Sequence, residues 1–335
     1  MMDFGEFLRW SQTSRVEVPN ASCFCETRIS VAYSAIRPMP ELAANAPDVH
    51  RCDLARLWCE TYGVDPSLSP TALVCEGVRQ ALEIIFESLA RRGAGVAVPT
   101  DVYPVYWRLA SQARLRPVGF ATFPQFEVAE VLRTAAQASA LVVLLPQPLK
   151  LHGRSWTELE VAAARDWLRD DPARRIILDG VYGFGAPLDS GTNRLLATDQ
   201  VLLLDSLSKG WLHERVFGVA LVPRRDLATY SATFRSLAPA KPKLALAHEL
   251  LTKYRQFPQR LLRDMSTRRR ELMARARDTR ISTLPAAGGY FVAMQCSAQA
   301  LLVEHSLLTI PVTVFGSGFA DWSIASVLPA PDAAS

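Results

Sequence analysis

Between residues 71 and 222 the chain carries short apolar runs without polar alternation, separated by helix-length amphipathic stretches. The runs at 71–74, 95–98, 140–145, 175–178, 201–204 and 216–222 read as strands, and 78–91, 105–113 and 157–169 read as helices. A strand that is apolar on both faces needs cover on both faces. The pattern therefore calls for a mostly parallel sheet sandwiched by helices, an α/β class.

After Pro223 the character changes. Residues 243–278 are strongly helical and basic, with Pro258 expected to kink or break the helix. Strand character resumes at Gly288-Gly289-Tyr290-Phe291-Val292, and 328–335 reads as a loose tail. The first 45 residues are rich in turn formers, show no clear periodicity, and are expected to wrap onto another part of the molecule. A length of 335 residues suits two domains. The expected division is a large domain over 46–235 and a smaller α+β domain built from 1–45 plus 236–335.

Hydrophobic residues at 49% against 21% charged exclude disorder as the main character. A net charge of +4, from 37 basic and 33 acidic residues, is too small to imply a nucleic-acid partner. The cluster Arg268-Arg269-Arg270 with Arg275, Arg277 and Arg280 reads as a solvated helix face beside Glu271 and Asp278. The longest apolar run, 138–149, is interrupted by Ser139, Pro146 and Gln147 and falls short of the roughly 20 residues of a membrane helix. The opening MMDFGEFLRW lacks the form of a signal peptide, so a cytoplasmic protein is expected. Six cysteines without regular spacing make no disulfide framework; Cys23 and Cys25 form a lone C-x-C, read as free thiols, and no metal site is expected.

The segment that carries chemistry is Asp205-Ser206-Leu207-Ser208-Lys209-Gly210, directly after a strand. As an S-x-x-K element it would make Ser206 an acyl-transfer nucleophile, but the companion S-x-N and K-T-G elements are missing. The other reading is a Schiff-base lysine that condenses with the aldehyde of pyridoxal phosphate, flanked by hydroxyls for the phosphate. Such a site also needs a carboxylate for the pyridine nitrogen, a phenol or amide for the ring oxygen, a stacking aromatic and an arginine. Ile177-Leu178-Asp179-Gly180-Val181-Tyr182 places a carboxylate at a strand end and a phenol three residues on. Residues 98–106, Val-Pro-Thr-Asp-Val-Tyr-Pro-Val-Tyr, supply aromatics after another strand. Glu76-Gly77-Val78-Arg79 opens a helix whose N–H groups suit a phosphate.

The ordered set G-V-R-x-A-L, P-x-x-x-Y-P-V-Y, L-D-x-x-Y, S-x-S-K and R-x-x-G, with the late glycine-aromatic strand, resembles the fold type I pyridoxal-phosphate enzymes, and within them the class I/II aminotransferases. The resemblance runs from about Leu54 to Val327. It implies that Lys209 forms the Schiff base and moves protons, that Asp179 partners the pyridine nitrogen, that Tyr182 lies near the ring oxygen and that Tyr103 stacks on the ring. It implies a phosphate cup from Ser206, Ser208, Arg215 and the backbone at Gly77, Val78 and Arg79. A homodimer is implied too, with Tyr33 and Arg37 of the N-terminal segment on the substrate side.

Three departures qualify the resemblance. Arg215 follows Lys209 more closely than the family has it, so Arg224 or Arg225 are alternatives. In Pro146-Gln147-Pro148-Leu149-Lys150-Leu151-His152-Gly153, Lys150 stands where the family keeps a ring-oxygen asparagine. Either Lys150 or the nearby Gln147 serves that oxygen, or Lys150 faces solvent and Gln147 or Tyr182 alone does so. Near the C-terminus, Trp322 stands at the place of the family's carboxylate-binding arginine, so either Lys150 or Arg37 holds the substrate carboxylate or the substrate lacks one there. The expected function is an aminotransferase of specialised biosynthesis acting on an amine or unusual amino acid. The alternatives are a cyclase, lyase, replacement enzyme or decarboxylase, or a binding protein that has lost catalysis.

Overall fold

The buried strands owe their all-apolar composition to cores on both of their faces. The computed structural model describes residues 2–25, 48–102, 104–212 and 217–328. In chain order its elements begin with α1 (Phe4–Glu17), β1 (Ser22–Cys23), α2 (Arg51–Tyr62), β2 (Ala72–Cys75), α3 (Val78–Arg91), β3 (Val96–Pro99), α4 (Val105–Gln112), β4 (Val118–Phe120) and α5 (Val128–Gln137). They continue with β5 (Val142–Pro146), α6 (Glu158–Asp170), β6 (Arg175–Asp179), α7 (Ser190–Leu196), β7 (Val201–Ser206), α8 (Leu207–Gly210) and β8 (Gly218–Leu221). The rest are α9 (Leu227–Ser236), α10 (Lys241–Lys253), α11 (Phe257–Asp278), β9 (Phe291–Met294), α12 (Ala298–His305), β10 (Leu307–Leu308), β11 (Ile310–Pro311) and β12 (Ser323–Ser326).

Seven strands form one sheet in the order β2-β8-β7-β6-β5-β3-β4. All ladders are parallel except those of β8, which runs against both neighbours. Alternate residues feed two cores. Val143, Leu145, Ile176, Leu178 and Leu203 enter the one with α2, α5, α6 and α10. Val142, Leu144, Ile177, Leu202 and Leu204 enter the one with α3, α4 and α9. A three-stranded antiparallel sheet, β11-β12-β9, forms a third core with α1, α11 and α12.

Several elements lie outside the sequence expectation. The N-terminal stretch is helical as α1, started by a capping box in which Asp3 and Glu6 each accept the other's backbone N–H. Helices α2 and α5 and strand β4 also lie where no element was expected. The long basic stretch is two helices, and Pro258 sits in the first turn of α11, where the ring removes no helix hydrogen bond. The leucines of α10 pack in a large-sheet core rather than with α11.

The arginine cluster of α11 is not a purely solvated face. Arg269 is buried and donates to the Gly289 carbonyl (2.5 Å). Arg268 lies over the Phe24 ring and donates to Cys23 O (3.3 Å), and Arg275 reaches Ser22 Oγ (2.9 Å) and His305 O (2.7 Å). These side chains tie the N-terminal segment to the small sheet. All six cysteines are free thiols. Among the described residues no helix is long and apolar enough to cross a membrane.

Candidate active site

Parallel strands deliver their C-terminal ends to one edge of the sheet, where open α/β folds place ligands. Strand β6 ends in Asp179 and β7 in Ser206, and both face a cavity of about 740 Å³. Gly77, Val78, Arg79, Lys150, Asp179, Tyr182, Ser206, Ser208 and Lys209 all line it. The structure therefore brings together residues that lie up to 132 positions apart in the chain (209 − 77).

Asp179 lies at the cavity floor, 2% exposed. Its Oδ2 accepts from the Tyr106 hydroxyl (2.5 Å) and its Oδ1 from the Val181 N–H (3.1 Å). Burial pushes its carboxyl above the usual range, opposed by the Tyr106 bond and by the charges of Lys150 and Lys209. Lys209 sits in the single turn α8, and burial pushes its ammonium down, opposed by Asp179. The site is thus a buried carboxylate beside one buried amine, Lys150, and one half-buried amine, Lys209.

Lys150 is buried and does not face solvent. Its Nζ donates to Val102 O (3.0 Å) and lies over the rings of Phe315 (4.6 Å) and Tyr182 (5.1 Å). Burial, and then the charge of Lys209, push it down to about 7. Gln147 points elsewhere: its amide donates to Asp189 and Thr192, and its oxygen accepts from Trp156 N–H. Tyr182 stacks on Tyr290 with centroids 5.7 Å apart.

Lys150 is aimed by a tight turn that closes on Gly153, at φ +61°. The Gly153 carbonyl accepts from the N–H groups of Ala287 (2.8 Å) and Gly288 (2.6 Å), and a Cβ at residue 153 would overlap the Phe291 carbonyl oxygen. A Gly153→Ala variant should lose about 1–3 kcal/mol of stability, read as a lower denaturant midpoint with unchanged slope.

At the other end of the cavity, α3 begins at Gly77 (φ +147°) with no side-chain cap. Its first amides therefore remain open toward the cavity, where a helix N-terminus favours an anion. The close approach depends on Gly218, where a Cβ would stand 2.6 Å from Asp205 O and 2.7 Å from the Gly77 Cα. The hydroxyls of Ser206 and Ser208 lie 2.9 Å apart at the same end of the cavity. Arg224 and Arg225 do not contribute: they bond Ser67, Pro172 and Asp199 away from the cavity. Arg215, Tyr103, Tyr33 and Arg37 lie outside the described residues.

Trp322 does not line the cavity either. Its indole is 8% exposed and meets the Phe123 ring edge-on at 5.2 Å. The wall on that side is made instead by Tyr290, Val314 and Phe315, with Phe4 of α1. The sequence reading passed over these residues, and also Arg108 and Tyr106. Tyr106 stands inside the quoted P-x-x-x-Y-P-V-Y element and was legible there; Phe4 and Phe315 carry no local signal.

Beneath the cavity, Asp205 accepts from Ser206 N–H (2.7 Å) and faces Tyr62 and Trp58. Burial, reinforced by the charge of Asp179, pushes its carboxyl up to about 8. The folded state then holds this proton more tightly than the unfolded chain does. Its contribution to stability is greatest below the ordinary value of 3.8, and it declines as pH rises toward about 8. Asp205→Asn should therefore be nearly neutral at low pH and flatten that decline. Asp205→Ala should cost about 1–3 kcal/mol by leaving the buried Ser206 N–H unpaired. Denaturation midpoints across that pH window check both.

No known family model matches the chain, and no characterised protein matches it by sequence. Solved structures do match. Aspartate aminotransferase of Thermus thermophilus, in a double mutant, is 16% identical with a TM-score of 0.73, over 97% of this chain and 92% of that one. The fold is that of the aminotransferases. YbdL of Escherichia coli, described with a methionine aminotransferase function, is 16% identical with a TM-score of 0.73, over 96% and 93% of the two chains. The aromatic aminotransferase of Pyrococcus horikoshii OT3 is 15% identical with a TM-score of 0.71, over 96% and 94%. These aminotransferase names span acidic, thioether and aromatic amino acids, so the shared fold leaves the substrate open.

Proposed function

We propose that the chain is a pyridoxal-phosphate-dependent enzyme, an aminotransferase of specialised biosynthesis that acts on an amine or unusual amino acid. The observation that carries this reading is the convergence of Lys209, Asp179 and the uncapped start of α3 on one cavity.

The residues present fit the cofactor. Gly218 and Gly77 keep clear a backbone cradle that a Cβ would fill, and the amides of Val78 and Arg79 with Ser206 and Ser208 would hold the phosphate. Asp179 would keep a proton on the pyridine nitrogen, with the Tyr106 bond fixing the carboxylate's orientation. Lys150 and Tyr182 stand together on the side proposed for the ring oxygen. When bound, pyridoxal phosphate supplies an electron sink for bond breaking at the substrate α-carbon. Lys209 Nζ moves the proton at that carbon, and its lowered affinity for a proton keeps the free amine available. Phe4, Tyr290 and Phe315 give that side of the cavity an apolar wall.

The substrate class follows from the cations on offer. Among the described residues lining the cavity, the cations besides Lys209 are Lys150, Arg79 and Arg108. Arg79 is engaged by Glu83, and Arg108 is exposed. Among the described residues no buried guanidinium lines the cavity to grip an α-carboxylate in a fork, which supports a reading toward amines and acids with a displaced anion. The reading carries with it two domains, 46–235 and 1–45 with 236–335, and a homodimer.

Reconstitution with pyridoxal phosphate, reduction with borohydride and peptide mapping test it. The label is expected on Lys209; a label on Lys150, or none, overturns the assignment. In Lys150→Asn, loss of a like charge beside Lys209 should raise the pH midpoint of the bound cofactor's visible absorbance by about one unit or more.

A further inference from the structure

A second cluster of nucleophilic groups lies away from the cavity, on the segment joining α1 to the small sheet. Residues two apart on an extended segment point to one side, and the sulfurs of Cys23 and Cys25 sit 3.4 Å apart. Arg15, in the last turn of α1, directs Nη2 at both, 3.1 Å from Cys23 Sγ and 3.5 Å from Cys25 Sγ. The backbone around them is fixed from two sides. Ser22 N–H donates to Ser306 O, Phe24 N–H donates to Leu308 O, and Phe24 O accepts from Ser326 N–H. The two thiols are thus held together by a frame that neither of them supplies.

The pair is asymmetric. Cys25 is 5% exposed, whereas Cys23 is half-buried and can be reached by a small molecule. The hydrogen bond to Cys23, and then burial, raise the Cys25 thiol, so the accessible Cys23 sulfur, 3.1 Å from the Arg15 guanidinium, is the one placed to attack. Elsewhere Cys59 and Cys75 are buried, and Cys52 is exposed. Among the described residues no His, Cys, Asp or Glu joins the pair to make a metal-binding group.

We propose that Cys23 and Cys25 form a redox-active dithiol, which low-molecular-weight disulfides oxidise to an intramolecular Cys23–Cys25 bond. The Cys23 thiolate attacks one sulfur of the small disulfide, forming a mixed disulfide and expelling the first thiolate. Cys25 then attacks the Cys23 sulfur, its proton passing to that thiolate, and the second small thiolate leaves and takes a proton from water. Two protein thiols are oxidised and one small disulfide is reduced to two thiols.

The test is incubation of the native full chain with glutathione disulfide, alkylation of remaining thiols and mapping of the tryptic peptide from Val16 to Arg28. That peptide contains both sulfurs and no other cysteine. It is expected to appear unalkylated and lighter by two hydrogens, without a glutathione adduct. Cys25→Ser should stop at an adduct on Cys23, and Arg15→Gln should slow the reaction severalfold. A native peptide that stays doubly alkylated, or that keeps a stable adduct, overturns the proposal. So does an Arg15→Gln protein that reacts as fast as the native one.

Discussion

A Lys209→Ala protein is expected to take up pyridoxal phosphate without linking to it, and to turn over at least about 10³-fold more slowly than the native chain. The reasoning starts from placement. Lys209 occupies a one-turn helix whose preceding strand ends at Ser206, so its amine enters the cavity opposite Asp179 with no freedom to be replaced from elsewhere. Lys150 faces the same cavity, yet its nitrogen is committed to the Val102 carbonyl and to the rings around it. It is therefore not expected to take over. Binding should survive in part, because the amides of α3 and the two serine hydroxyls do not depend on the lysine. The checks are loss of borohydride-fixed label, single-turnover rates, and partial recovery by a small added amine. Turnover within about tenfold of native would place the proton transfer on another group.

Asp179→Ala should have the second largest effect, and on two readouts. Turnover should fall by about 10²–10⁴-fold, since the other described carboxylate lining the cavity, Glu76, is held by Lys243. Stability of the cofactor-free protein should fall as well. The substitution removes the acceptor of the 2.5 Å Tyr106 hydrogen bond and takes a nearby negative charge from the buried Lys150 and the half-buried Lys209. Removing one partner from a buried charge set typically costs about 3–5 kcal/mol. Asp179→Asn, which keeps the shape, should recover part of the stability and little of the turnover. Melting curves beside steady-state rates separate the two losses, and a variant with full turnover would mean that another acid holds the nitrogen.

The large sheet was legible because each central strand is apolar on both faces, and α3 and α6 declare themselves by strong periodicity and, for α6, by the Thr157–Glu160 capping box. The floor of the site was legible for a related reason: Asp179, Ser206 and Lys209 interrupt or follow apolar runs, where a polar side chain needs a purpose. What escaped was set at long range. Helix α1 is weakly amphipathic and enters the small-sheet core through Phe7, while Arg15, Arg268 and Arg275 hold the segment that follows it, and sequence spacing announces none of these contacts. Trp322 matched a family position in register, but its indole turned to Phe123 and left the wall to Phe315 and Tyr290. The orientation of Lys150 depended on a turn closed by Gly153 against Gly288, a contact across more than a hundred residues of chain.

Strand β8 lies between β2 and β7 and, among the described residues, is the strand that links them by hydrogen bonds. During synthesis β2 therefore emerges long before its sheet partner, and its edge has nothing to pair with until residue 221 has been made. The same strand carries Gly218, against which Gly77 closes the anion cup. A nascent chain that stops short of β8 would hold Asp179, Lys209 and the residues of the proposed cup but not the Gly218 approach that sets them, so ligand capture is expected to report completion of the sheet and not merely the presence of its central strands.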